Sequence, residues 1–282
     1  MARKFNMIAH YNNQLLNSFA LYVDHQICEK GLAYTNYSSN FQAVDNIYNG
    51  YYTYAAPTKQ LICDTSLTGA TQFSGVFVGG SYVNIGQSGL AAINHDLGHV
   101  YFSSSQSQAI SGAYSVKEFN VYLTEDTEEK LLFGTKYEVK PKKPQSFTPT
   151  ESDTIFAPAV FIKPNSITSE PFCLGGTDKI VHDYRSVVIS KSAFELDAVC
   201  GIMQDMCRTH FGLVNPPFGA LGYTGLAYNF TGLNVGSEAF IDNVTVSRIA
   251  KDRINNEFKD ISLGIYAAFV DFEIHVFKNP RA

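Results

Sequence analysis

The sequence predicts a β-dominant α+β fold, with antiparallel sheets in a sandwich or barrel-like arrangement and two main amphipathic helices. Three observations lead there. Short runs rich in Val, Ile, Tyr and Phe recur between Gly, Ser and Asn turns at intervals of roughly ten residues across 72–123. Helical spacing of apolar residues is confined to a stretch near the start and another after Ser192. The aromatic complement is lopsided, with 21 Phe, 17 Tyr and no Trp, a composition that suits strands and association surfaces. With 282 residues the chain can bury a full core, so 1–282 is read as a single structural domain. An exposed arm at about 124–153 and a long Gly/Pro/aromatic loop at about 212–238 extend from it.

Taken in order, Ile8, Leu15, Leu16, Phe19, Val23 and Ile27 recur at three- and four-residue steps, and Gly31 follows as a stop, which predicts a helix over 6–30 with one apolar stripe. Residues 34–63 are aromatic and polar and read as a loop-rich approach to a first strand. Then comes a meander: Gly75–Val78, a turn at Gly79-Gly80, Tyr82–Ile85, a turn near Gly86, Leu90–Ile93, a turn, Val100–Phe102, and Ile110–Leu123. The last run carries two apolar sets, Tyr114/Val116 and Phe119/Val121/Leu123, which a bulge or kink between Val116 and Phe119 would reconcile.

The segment from Glu125 to Asp153 sets an acidic block beside Lys140, Lys142 and Lys143 in a Pro/Ser/Thr-rich context, the composition of an exposed arm or linker suited to pairing across a subunit boundary. Strands resume at 154–162 and 187–189. Ser192-Ala193-Phe194-Glu195 then matches a capping box, and Phe194, Leu196, Val199, Ile202, Met203, Met206 and Phe211 keep helical spacing to Gly212. The stretch 212–238 holds six glycines and no period, long for a loop within a compact domain. Its Phe218, Tyr223, Tyr228 and Phe230 are therefore candidate subunit contacts together with the three lysines. Strands at 239–249 and 263–277 close the chain.

Charged residues make up only 17% of the chain, fewer than free monomers usually carry, which points to surface covered by partners. The formal net charge of −5 and a Lys cluster without interleaved aromatics argue against sequence-specific nucleic-acid binding, although an acidic wall can still pass DNA without sticking to it. The five cysteines form an odd set without a CxxC pair and read as buried, reduced thiols. No segment approaches ~18 consecutive apolar residues, so no membrane span is expected.

Candidate chemistry is sparse. His95-Asp96-Leu97-Gly98-His99 places two imidazoles near a carboxylate, but two histidines four apart share a ligand face only on a helix, and the flanking strand-like runs make this segment a hairpin turn. A hydrolase using these histidines is the enzymatic alternative. Gly75–Ser81 lacks the Lys-Ser/Thr of a phosphate loop, and Gly86-Gln87-Ser88-Gly89 is one residue short of a nucleophile elbow. No carboxylate pair is nominated by spacing. The expectation is a protein with no catalytic residue, cofactor or metal.

The run Phe73–Leu90, continued by Ile93-Asn94-His95-Asp96-Leu97-Gly98-His99-Val100-Tyr101-Phe102, resembles a pattern in virion structural proteins of tailed bacteriophages, of the neck or head-tail connector type. Ile110–Leu123 and Phe269–Phe277 are similar in style. The resemblance implies a structural subunit near the portal vertex that forms a homo-oligomeric ring, contacts portal, adaptor or tail proteins, and gives passage to DNA. It also implies a location in the virion, assembled in host cytoplasm. A head-decoration or receptor-binding module, and a tail-terminator or tail-adaptor subunit, are the alternatives.

Overall fold

The computed structural model describes residues 5–134, 137–139, 155–171, 178–214, 227–249 and 265–278. In chain order the elements are α1 (Phe5–Gly31), β1 (Tyr34–Tyr48), β2 (Tyr51–Ala55), β3 (Gly75–Val78), β4 (Ser81–Asn84), β5 (Leu90–Asn94), β6 (His99–Phe102), β7 (Ile110–Lys117) and β8 (Asn120–Leu123). A π-helical turn (Lys130–Gly134) leads to β9 (Tyr137–Val139), β10 (Ile155–Ala157), β11 (Ala159–Pro171) and β12 (Asp178–Ser190). The rest comprises α2 (Ala193–Gln204), β13 (His210–Phe211), α3 (Phe230–Leu233), β14 (Ala239–Ile249) and β15 (Tyr266–Lys278). The expected β-dominant α+β class holds.

A seven-stranded sheet, ordered β4-β3-β7-β1-β2-β6-β5, curls into a nearly closed barrel. Its interior is filled by Phe41, Tyr54, Phe73, Val76, Leu90, Val100, Phe102 and Tyr114. The expected loop over 34–63 is overturned, because β1 runs through the middle of this sheet, paired with β7 on one side and β2 on the other. Asn36, Ser38 and Asn40 are the solvent half of a strand alternation, while Phe41 faces in and stacks on Phe73 at 5.5 Å. Asn49 and Gly50, both at positive φ, form the two-residue turn that folds β1 onto β2.

The second sheet is ordered β13-β14-β15-β12-β11-β8. The discontinuity between Val116 and Phe119 is the place where the chain leaves one sheet for the other: β7 belongs to the barrel and β8 pairs in parallel with β11. The inner face of this sheet carries Tyr184, Val188, Ala268, Val270, Phe272 and Ile274 against α1 and α2. At the centre the fully buried Phe19 ring lies 4.9 Å from Phe272, 5.4 Å from Tyr184 and 5.9 Å from Phe211.

Helix α1 is the expected helix with more than the expected burial. Leu15, Phe19, Val23 and Ile27 meet the sheet, whereas Asp24 and Cys28, about half a turn away on the helix wheel, meet the barrel side. Ser192 caps α2 as predicted, its Oγ accepting from Glu195 N at 3.2 Å, but the Glu195 carboxylate accepts from Ser190 Oγ at 2.9 Å rather than from the cap itself. The helix also ends at Gln204, well before Gly212. His210 and Phe211 join β14 as a short strand, so His210 lies 4.7 Å from the Phe240 ring instead of at a helix terminus.

The arm expected at 124–153 is in part no arm. Leu131 is buried with Phe161, Val187 and Ile189 on the outer face of the second sheet. Glu128 pairs there with Lys163 at 2.9 Å and Arg185 at 3.2 Å. The apolar residue among charges gives this segment somewhere to dock, which its composition alone hid. Residues 140–154 lie outside the described residues.

Candidate subunit-contact surface

Of the seven residues nominated as subunit contacts, Lys140, Lys142, Lys143, Phe218 and Tyr223 lie outside the described residues. Tyr228 and Phe230 are described, and the nomination is corrected for both: they are 8% and 2% exposed and belong to the chain's own core. The end of the glycine-rich loop is tied down by backbone bonds, Tyr228 N to Cys63 O at 2.8 Å and Thr65 N to Tyr228 O at 2.7 Å. Their aromatic character suits a neighbour or the chain's own core equally; what anchors Phe230 inside is a carboxylate elsewhere in the chain.

That carboxylate is Asp64. It accepts from His25 Nδ1 at 2.7 Å, Ser66 N at 2.9 Å, Ser66 Oγ at 2.6 Å and Phe230 N at 3.1 Å. The His25 ring in turn stacks on Phe230 at 4.6 Å. One side chain thus joins α1, the 64–66 turn and α3. Burial alone would raise its pKa, but the hydrogen bonds from His25, Ser66 and the Phe230 N–H outweigh that and hold it below the usual carboxylate range.

A few residues away, Lys117 at the end of β7 meets Asp24 of α1 at 2.6 Å, with side chains 13% and 8% exposed. Burial favours the neutral amine, yet Asp24 beside it keeps Lys117 charged and its pKa well above the ordinary value. The other oxygen, Asp24 Oδ1, is buried without a partner among the described residues. Sequence reasoning missed both pairs. The available signal was a pair of ionisable residues, Asp24 and His25, inserted directly between the apolar positions Val23 and Ile27.

The His95–His99 segment is the expected turn joining β5 to β6, with Gly98 at φ 66. Any Cβ at Gly98 would collide with the Thr58 carbonyl, so both the left-handed backbone and the close approach require glycine. His95 is 2% exposed and bonds through Nε2 to the Phe73 carbonyl at 3.1 Å, a structural role. Burial, followed by the nearby Lys59, pushes the His99 pKa down to about 4.

The unfolded chain therefore takes up the His99 proton near pH ~6.5, before the folded chain does. Stability from this group is complete above ~6.5 and is lost as pH falls towards 4. His99→Gln is expected to flatten the dependence of unfolding free energy on pH in that window, as read from urea titrations at successive pH values.

Among the described residues Cys28, Cys63 and Cys200 are buried, as expected of structural thiols, and Cys207 is half-buried. Burial pushes Cys63 up to about 12 and Cys200 up to about 11, which leaves both unreactive as nucleophiles. Asp242, Glu273 and His275 come close enough to share a cation. They are already paired, however, Asp242 with Arg208 and Glu273 with His275.

Several large apolar side chains are exposed at the barrel surface, while others, such as Phe194 and Val235, are exposed elsewhere. Ile47, Tyr48 and Tyr52, at the tip of the β1–β2 hairpin, are 60%, 46% and 38% exposed. Phe77 and Tyr82 of the β3–β4 hairpin stand 5.1 Å apart and are 40% and 46% exposed, with Ile85 next to them at 50%. On the second sheet Ile167 of β11 is 48% exposed. Among the described residues no helix is long and apolar enough to cross a membrane. No protein-family model matches the sequence, and a search of curated proteins finds no significant match.

Proposed function

We propose that this chain is a non-enzymatic structural subunit of a tailed-phage virion, a neck or head-tail connector protein that assembles as a ring of identical copies and gives passage to DNA. The observation that carries the assembly part is the exposure of Ile47, Tyr48 and Tyr52 at one hairpin and of Phe77, Tyr82 and Ile85 at another, since apolar groups gathered on a surface mark places where another protein sits. The buried Asp24, Asp64 and His95 and the half-buried His25 and Lys117 support the same reading, because each is engaged in holding the fold together. The virion placement rests on the sequence resemblance of 73–102. Native mass spectrometry of the purified chain tests the assembly, and imaging of particles carrying a labelled chain tests the placement. A closed oligomer at the portal vertex is the expected result. A monomer at high concentration that stays monomeric with virion partners would overturn the reading.

A further inference from the structure

The second sheet ends on both sides in backbone that its neighbours cover only in part. Strand β8 pairs with β11 from Ala159 to Ile162 and no further, and β13 pairs with β14 only at Ala239 and Phe240. Among the described residues, the outward backbone groups of β11 beyond Ile162 and of β14 beyond Ile241 have no backbone partner. Uncovered edges of this kind are templates for a further strand.

The two edges match. Strands alternate in direction from β14 through β15 and β12 to β11, so β14 and β11 run oppositely and would meet as an antiparallel pair. Their hydrogen-bonding parity can be read from the bonds at each end. Ile162 O accepts from Thr124 N at 3.0 Å, which directs the amide groups of Ile162 outward. Counting along β11 through its irregularity between Pro164 and Ser166, the next outward residues are Pro164, Ile167 and Ser169. Pro164 falls where a missing N–H costs the β12 pairing nothing.

On the other side Ile241 N and O bond to Thr209 and Arg208, so Ile241 also faces outward. Past the irregularity between Ile241 and Asn243, the outward residues are Val244, Val246 and Arg248. Side-chain faces agree as well. Ile167 lies opposite His182 and Val246 opposite Val270, which puts both on the inner face of the sheet.

We propose that β11 of one copy pairs antiparallel with β14 of the next, with Ile167 opposite Val246 and Ser169 opposite Val244, so that the second sheet continues from subunit to subunit. This rests on the ring-forming reading above and names its interface. The contact would cover the exposed Ile167 with Val246 and give partners to both rows of amides. It is head-to-tail, so its closure depends on stagger. Within one chain Val246 is level with Ile162, through Val270 and Ser186. Pairing it with Ile167 displaces successive copies by about four pairing steps, ~13 Å along the strands, against a lateral repeat of four strands, ~19 Å. A closed ring therefore needs strands inclined by roughly 35° to its axis, whereas upright strands would generate an open helix.

The test uses two variants beside the unmodified chain. Thr168 and Thr245, both exposed, would form the neighbouring non-hydrogen-bonded pair, with Cα atoms about 4.5 Å apart, within reach of a disulfide. Thr168→Cys/Thr245→Cys is expected to give a ladder of covalent multimers on oxidation that neither single variant gives. Val246→Pro removes an outward N–H and spares the β15 pairing, and is expected to fold as a monomer. An unmodified chain that is oligomeric by native mass, with no ladder and an assembling Val246→Pro, would overturn this interface and leave the ring reading intact. An unmodified chain that is itself monomeric would overturn both.

Discussion

Replacing Lys117 by alanine is expected to lower the unfolding free energy by about 3–5 kcal/mol, because the Asp24 carboxylate would remain buried without its counter-charge. One Asp24 oxygen already lacks a partner among the described residues, so the site has no spare donor to take over. Removing both charges at once should behave differently. Asp24→Leu/Lys117→Met takes away the desolvation cost together with the attraction, and is expected to recover most of the lost stability, to within ~1–2 kcal/mol of the unmodified chain. Urea titrations of the two single variants and the double variant complete the cycle. A double variant destabilised by the sum of the two single losses would show that the pair does not act as a unit.

The second large effect is expected at Asp64. Asp64→Ala strands the buried Phe230 amide and frees His25, two of the contacts that link α3 to α1, and should cost about 3–5 kcal/mol. Asp64→Asn keeps an oxygen acceptor but no charge, and should fall between. Since the folded pKa of Asp64 is depressed, its contribution is present above the unfolded value of ~3.9 and is lost as pH falls through the folded pKa. The loss of stability on acidification below ~4 should therefore be shallower in Asp64→Asn. Thermal melts across pH 2–6 read this directly, and an unchanged acid limb would exclude Asp64 as its source.

The hairpins were legible because glycine turns and alternating apolar residues are local signals. Gly79-Gly80, Gly86 and Gly98 each mark a turn, and the strands between them are short enough for a few residues to define them. Strand β1 was not legible: its solvent-facing Ser and Asn residues dominate the composition, and only pairing with β7 and β2, remote in sequence or across a turn, explains why the segment is extended. Tyr228 and Phe230 misled for a related reason. An aromatic residue beside glycines reads the same whether it meets a neighbour or its own core, and here Asp64, far away in the chain, decides. The open edges of β11 and β14 escaped notice because an edge is a property of the finished sheet and leaves no mark on either strand alone.

Helix α1 also constrains the order in which the molecule can be made. It precedes the sheets in the chain, yet Phe19 rests on Phe272 of β15, so its apolar stripe must wait until β15 has been synthesised. The barrel segment, 34–117, holds its partners within its own length and can close while translation continues. A nascent chain stalled after β7 should therefore carry a protected barrel and a helix α1 whose Phe19 stripe is still unprotected, a state open to chaperones until β15 arrives.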